Sequence, residues 1–154
     1  MTTVTNNASN LETRALRYLA KREYSRRELE NKLSVHIQSP HTLSNLLDQL
    51  EQQGYLSTKR FAEQTCRARR PRFGSLYIVR ELKEKGVDEE NIDALLPELK
   101  ATDLETAQQI WHKKFGTPPC TLKERSKQTR FLLGRGFSSD IIRQVLSYTS
   151  KEES

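Results

Sequence analysis

Three corners of the same kind recur along this chain and constrain its fold more than any other feature. Each corner is an aromatic residue followed by a small one, and successive corners lie 49 and 42 residues apart: Tyr24-Ser25, Phe73-Gly74 and Phe115-Gly116. Before and after every corner, apolar residues recur three and four positions apart, which is the period of an amphipathic helix. No run alternates as a strand does. The chain therefore predicts an all-α fold of three tandem, helix-turn-helix-like units of three helices each.

The repeat also predicts where each unit begins and ends. Residues 10–56 are expected to form the first unit, 57–100 the second and 101–149 the third, with disordered termini at 1–9 and 150–154. Apolar residues make up only 34% of the chain and charged ones 30%, so each unit has little apolar surface of its own. We therefore expect several small cores in stacked units, which would give an elongated, curved molecule.

Capping residues mark the ends of the predicted helices. Ser25 and Glu28 have the spacing of a capping box, in which each side chain bonds to the other residue's backbone N–H. Gly54 follows a leucine-rich stretch, at the position where a left-handed residue ends a helix. Asp88 and Ser138 precede two further helical stretches and are expected to cap their first turns.

The sequence gives no signal for catalysis, a cofactor or a metal. Neither cysteine nor carboxylate lies at metal-ligand spacing from the three histidines, His36, His41 and His112. Gly134-Arg-Gly136 lacks the lysine-serine pair of a phosphate-binding loop, so it is expected to end a helix. These patterns favour a binding protein over an enzyme.

Compartment and oligomeric state are predicted from composition. Cys66 and Cys120 stand far apart in unrelated contexts, so we expect reduced thiols. No apolar run approaches the roughly 18–20 residues of a membrane span, and the first ten residues are polar. We therefore expect a cytoplasmic monomer with no membrane partner.

Positive charge is concentrated in the first half of the chain. The net charge is +6, of which residues 1–85 carry +7 and residues 86–154 carry −1. Arginine binds phosphate through two parallel hydrogen bonds, so this charge favours an anionic partner, most simply nucleic acid. The predicted main contact is the densest run, Arg67, Arg69, Arg70 and Arg72. The other candidates are Lys59, Arg60, Arg80, Lys83, Lys113, Lys114, Lys123 and Arg130.

Other interpretations of these features stay open at this point. A solvated helix face, or contact with an acidic protein surface, would explain the same basic run. The corner aromatics and Trp111 could stack on bases, although their recurrence at corners favours a place in the core. A module that binds single-stranded DNA, with no protein target, is a further possibility.

The main rival is a winged helix-turn-helix transcriptional regulator. Residues 25–57 contain two helices joined by a turn, as in the core of that fold. A wing needs two strands and a tight turn after Leu56, whereas residues 59–67 lack turn residues and have a helical pattern. The rival also leaves the later repeats unexplained.

Several short motifs, each weak alone, stand in a specific order: Ser25-Arg-Arg-Glu-Leu29, Gly54-Tyr-Leu56, Arg60-Phe-Ala62, Phe73-Gly74, Lys85-Gly-Val87 and Phe131-Leu-Leu-Gly-Arg-Gly-Phe137. Together they resemble the RecX family of bacterial proteins that modulate the recombinase RecA. The resemblance covers residues 11–148, nearly the whole chain. One departure is Pro71-Arg72, since the family usually has a further glycine just before the corner.

The resemblance implies a non-catalytic inhibitor built from tandem three-helix repeats. RecX proteins lie along the groove of the RecA–DNA filament and suppress its ATPase, strand-exchange and co-protease activities. The implied partners are the RecA nucleoprotein filament and DNA, single-stranded and double-stranded, contacted through the basic residues.

Overall fold

Helices account for the regular structure throughout the described part of the chain. The computed structural model describes the backbone of residues 2–37 and 39–152, and the side chains of 10–37 and 39–147. Within these ranges there is no strand, and the α-helices are α1 (Thr2–Lys21), α2 (Arg26–Leu33), α3 (Pro40–Gln52), α4 (Thr58–Arg69), α5 (Ser75–Glu84), α6 (Glu89–Lys114), α7 (Leu122–Gly134) and α8 (Ser139–Glu152). A 3₁₀ turn at Ser34–His36 follows α2. The all-α prediction is confirmed.

Helix α4 occupies the place where a winged-helix regulator would need its wing. It begins two residues after Leu56 and continues for three turns. In the described ranges no strand follows it, so the structure contradicts the winged-helix alternative.

Helix α6 runs through the predicted boundary between the second and third units. Three helices in each unit imply that one helix ends and another begins at the boundary between residues 100 and 101, but a single helix of 26 residues contains that boundary and Pro97. An internal proline removes one helical hydrogen bond. Burial on both sides, at Ile92 before it and at Leu99 and Trp111 after it, offsets that loss.

The predicted unit boundaries and disordered termini stay predictions. Helix α1 begins at Thr2, before the predicted start at residue 10. The predicted disorder lies at residues 1–9 and 150–154, whose side chains are outside the described part of the chain.

Two compact units divide the chain, and each has a small core of its own. The first unit, residues 1–64 and 83–91, is centred on Leu11, Ala15, Tyr24, Leu29, Leu33, Leu43, Leu46, Leu47, Leu50 and Leu56. The second unit, residues 65–82 and 92–154, contains a cluster of Ala107, Trp111, Leu132, Phe137, Ile142, Val145 and Leu146. Small separate cores agree with the modest apolar content of the sequence.

The capping predictions are confirmed. The Ser25 hydroxyl accepts the Glu28 N–H at 3.1 Å, and Glu28 Oε1 accepts the Ser25 N–H at 3.1 Å. Gly54 has a φ of +82°, and the Leu50 carbonyl beneath it accepts two N–H groups of the following turn. Asp88 accepts the Asn91 N–H at 3.4 Å, and Ser138 accepts the Ile141 N–H at 3.2 Å.

The capping box makes the first unit sensitive to acid. Burial alone would raise the pKa of Glu28, but hydrogen bonds from Arg22 and the Ser25 N–H, with the charges of Arg22 and Lys85, lower it. An unfolded glutamate has a pKa of about 4.3, and at pH values above it the ionised Glu28 stabilises the folded protein. This stabilisation is lost as the pH falls through the lower pKa of the folded state. Glu28→Gln should therefore lower the free energy of unfolding by about 0.5–1 kcal/mol at neutral pH, a small loss because Arg22 is partly exposed. The variant's free energy of unfolding should also fall less steeply than that of the wild type as the pH is lowered.

Urea unfolding from about pH 6 to pH 3 checks this prediction. Glu30→Gln, at an exposed position of the same helix, is the matched control and should keep the wild-type slope. Equal acid slopes for Glu28→Gln and the wild type would contradict the role of Glu28.

Candidate anion-binding site

A cavity of about 490 Å³ in the second unit brings four cationic side chains together. They are Arg72 from the loop after α4, Lys113 and Lys114 from the last turn of α6, and Arg135 directly after α7. We call these four residues the cavity cations. None of the described residues that line the cavity is acidic. The site therefore concentrates positive charge in a volume within the usual range for small ligands.

Apolar residues also line the cavity. They are Pro71, Ile110 and Phe131, and they lie beside the cations. Lys114 Nζ and the Arg135 guanidinium carbon lie 5.4 Å and 5.0 Å from the Phe131 ring centroid. Gln109 adds one side-chain amide, which can both donate and accept hydrogen bonds. The cavity thus combines cationic, apolar and amide groups in one lining.

The two lysines are placed by the anchored end of α6. Trp111, one turn earlier in the helix, is buried in the core, and its indole N–H donates to Gln128 Oε1 at 2.7 Å. The Trp111 carbonyl accepts the N–H groups of Phe115 and Gly116, which closes the last turn. Lys113 and Lys114 are exposed there, where the helix dipole favours cations.

Arg135 is held between two aromatic rings. Its guanidinium carbon lies 5.0 Å from the ring centroid of Phe131 and 5.3 Å from that of Phe73, within the range of cation–π attraction. Its Nη1 donates to the Arg72 carbonyl at 3.4 Å. These contacts hold the side chain in place, and none of the described residues that line the cavity with it is a carboxylate.

Two glycines allow the close packing that places Arg135. The Gly74 N–H donates to the Arg135 carbonyl at 2.7 Å, and the Leu76 N–H donates to the Gly136 carbonyl at 3.0 Å. A Cβ on Gly74 would lie 2.6 Å from Phe137 Cδ1, and one on Gly136 would lie 2.5 Å from Tyr77 N. The start of α5 therefore contacts the turn between α7 and α8 backbone to backbone, which explains the Phe73-Gly74 corner.

The structure separates the four arginines that the sequence predicts as one contact. Arg67 is exposed on α4, and Arg72 lines the cavity. Arg69 instead donates through Nε to both carboxylate oxygens of Glu81 at 3.0 Å. This hydrogen bond, together with the Glu81 charge, raises the pKa of Arg69.

Arg70 is part of a buried network and not of an exposed surface. Its Nη1 lies 2.8 Å from Asp103 Oδ1, and its Nη2 donates at 2.6 Å to the Leu99 carbonyl and to Thr102 Oγ1. The side chains of Arg70 and Asp103 are 18% and 7% exposed. Asp103 also accepts the backbone N–H of Ser75 at 3.0 Å and the Ser75 hydroxyl. The prediction that Arg70 is a main anionic contact stays a prediction, and in this structure its guanidinium is paired inside the second unit.

The remaining predicted residues lie outside the cavity. Arg60 is exposed, but its Nε lies 2.9 Å from Glu23 Oε1 and its Nη2 donates to the Gly54 carbonyl. The others are exposed on helix surfaces: Lys59 on α4, Arg80 and Lys83 on α5, and Lys123 and Arg130 on α7.

The aromatic residues of the three corners and Trp111 differ in their burial. Tyr24 and Trp111 are buried, as predicted, at 6% and 5% exposure. Phe73 and Phe115 are half-buried; Phe73 stacks on Tyr77, with ring centroids 3.8 Å apart, and Phe115 packs against the second core.

Sequence reasoning missed two important residues, and both left a signal. Arg135 stands four positions after Phe131, a spacing that places a cation beside a ring on one helix face. Asp103 stands in the same i, i+4 row as Leu99, Ala107 and Trp111. A carboxylate in an apolar row indicates a buried partner.

The described residues give no sign of a metal centre or a membrane span. Among the side chains of residues 10–37 and 39–147, no three of the His, Cys, Asp and Glu groups could together hold an ion. None of the helices in these ranges is both long and apolar enough to cross a bilayer. Cys66 and Cys120 are not joined in a disulfide.

Comparison with known proteins identifies the family. The profile of the RecX third three-helix domain matches residues 101–146, and that of the second three-helix domain matches residues 59–96. Regulatory protein RecX of Leptothrix cholodnii is 42% identical over 93% of this chain and 91% of its own length, and that of Ralstonia pickettii is 39% identical over 90% and 87%. The crystal structure of RecX from Lactobacillus salivarius shares the fold, with a TM-score of 0.80 and 23% identity over 96% of this chain and 99% of that one. This chain belongs to the RecX family of regulatory proteins.

Proposed function

We propose that this chain is a cytoplasmic, monomeric negative regulator of RecA that binds in the groove of the RecA–DNA filament. In this role it inhibits the ATPase, strand-exchange and co-protease activities of the filament. The observation that carries the proposal is family membership, with 42% identity to a regulatory protein RecX over nearly the full length of both chains.

The basic side chains support an accessory contact with DNA. Phosphate contacts by lysine and arginine supply most of the sequence-independent affinity for nucleic acid, because they release condensed counterions. We assign the central contact to the cavity cations, which have no acidic neighbour among the described lining residues. Supporting contacts are assigned to exposed cations of both units: Lys59, Arg67, Arg80, Lys83, Lys123 and Arg130.

Three predicted residues are left out of this contact surface. Arg60, Arg69 and Arg70 each pair with a carboxylate of the same unit. A neighbouring carboxylate already neutralises much of the guanidinium charge, so each of these arginines releases few counterions on binding phosphate and adds little affinity.

The decisive experiment compares two variants that remove the same charge. The first replaces Arg72, Lys113 and Lys114 with glutamine. The control replaces Lys100, Arg125 and Lys127 with glutamine as well, and these three residues are exposed and lie outside the cavity. Binding to bare single-stranded DNA and to RecA-coated DNA is measured across a salt series, with RecA ATPase followed in parallel.

The wild type should bind the RecA filament more tightly than bare DNA and should lower the ATPase rate. The cavity variant should need about tenfold more protein for half-inhibition, and its salt slope should fall by roughly 2, close to three lost single-strand contacts. The control should change both quantities much less. Equal binding to bare and coated DNA with an unchanged ATPase would contradict RecA regulation. Equal losses in the two variants would contradict the assigned contact.

A further inference from the structure

We infer that the cavity of the second unit binds a single nucleotide, with its phosphate on the cavity cations and its base against the apolar lining residues. This inference deepens the proposed function, on which it rests only where the nucleotide belongs to a DNA strand. The proposed function needs only positive charge on the surface. This inference adds that the cavity is a specific site for one phosphorylated, aromatic ligand.

The cavity cations fit a phosphate group. Arg135 is already held in place by Phe131, Phe73 and the Arg72 carbonyl, so binding an anion costs it little further side-chain entropy. Arginine presents a planar fork to phosphate oxygens, and Lys113 and Lys114 supply two further point charges beside it. In the described lining no carboxylate competes for these groups.

The apolar lining residues fit a base. Phosphate alone would gain nothing from Pro71, Ile110 and Phe131, and an acidic peptide would leave them uncovered. A nucleobase buries flat apolar area and also carries hydrogen-bonding edges. The Gln109 side chain, which also lines the cavity, can donate to and accept from such an edge. The cavity volume of about 490 Å³ is large enough for a mononucleotide and too large for phosphate alone.

This chemistry has two possible sources, a free nucleotide or one nucleotide of a single strand. Both present a base and a phosphate at the same separation. The experiment therefore includes both sources and the partial ligands that each lack one half of the nucleotide.

Isothermal titration of the full chain with ADP, inorganic phosphate, adenosine and hexaglutamate tests the inference. ADP should bind at least about tenfold more tightly than phosphate or adenosine, because only ADP contacts both the cavity cations and the apolar lining residues. Lys113→Gln with Lys114→Gln should weaken ADP about tenfold, and Gln109→Ala about threefold. Lys127→Gln, an exposed cation elsewhere on α7, should leave ADP binding unchanged.

Competition with a short oligothymidylate then separates the two sources. Displacement of ADP supports the site with a strand nucleotide as its occupant, and binding of ADP without displacement supports it with a free nucleotide. Equal affinities for ADP and phosphate, tighter binding of hexaglutamate than ADP, or no saturable binding would each overturn the inference. The wild-type chain separates failure of this inference from failure of the proposed function, because inhibition of the RecA ATPase without saturable binding of ADP would contradict this inference alone.

Discussion

Replacing Arg70 with methionine should lower the free energy of unfolding by about 3–5 kcal/mol, the usual cost of breaking a buried ion pair by removing one partner. The methionine keeps the apolar stem of the side chain but leaves Asp103, only 7% exposed, without its cation. The same change strips hydrogen bonds from the Leu99 carbonyl and Thr102. Urea unfolding followed by helical circular dichroism measures the loss.

Two further variants make the Arg70 prediction specific. Arg67→Met removes the same charge from an exposed position on α4 and should stay within about 0.5 kcal/mol of the wild type. Adding Asp103→Asn to Arg70→Met should recover at least about 1 kcal/mol, since no uncompensated charge remains and an amide oxygen can still accept the Ser75 N–H. If Arg70→Met is as mild as Arg67→Met, or if the second change only adds to the loss, the buried pair does not have this role.

The second large effect is expected at Gly136. Its φ of +93° disfavours any side chain, and a Cβ there would lie 2.5 Å from the backbone nitrogen of Tyr77. Conformational strain costs about 1–2 kcal/mol, and overpacking adds about 1–3 kcal/mol. The opposing atoms are the N, Cα and Cβ of Tyr77, and because the backbone fixes their positions, they cannot rotate away. Gly136→Ala should therefore destabilise the protein by about 3 kcal/mol or more.

Other glycines of this chain separate the two causes. Gly54 has a positive φ but nothing near its Cβ position, so Gly54→Ala should show strain alone, about 1 kcal/mol. Gly74 has the close approach without a positive φ, so Gly74→Ala should show overpacking alone. Gly134 has neither, and Gly134→Ala should raise stability by up to about 1 kcal/mol. Similar losses for Gly136→Ala and Gly54→Ala in urea unfolding would show that the close packing is not as described.

Features specified by neighbouring residues were predictable from the sequence, and features specified by distant ones were not. The capping box at Ser25 needs residues three apart, and the helix end at Gly54 needs one glycine after an apolar row, so both could be predicted. The continuity of α6 through Pro97 depends on burial on either side of the proline. Local propensity gives no account of that burial, and the predicted helix end there was wrong.

The same distinction applies to the candidate site. Charge density in the sequence grouped Arg69 and Arg70 with Arg72, but their carboxylate partners stand 12 and 33 residues away. Conversely, Arg72 and Arg135 come together across 63 residues, through a turn that only the two glycines permit. Composition thus indicated an anionic partner, whereas the choice of cations depends on tertiary packing.

The start of α5 also has a consequence for the dynamics of the second unit. The first N–H groups of a helix have no partner within the helix and normally exchange their protons with solvent quickly. In α5 the N–H groups of Gly74, Ser75 and Leu76 donate to the Arg135 carbonyl, to Asp103 and to the Gly136 carbonyl. Their exchange therefore requires the α7–α8 turn and α6 to move away. These three amides should exchange as slowly as the core of the second unit, so this helix end reports on cooperative opening of the unit and not on local fraying.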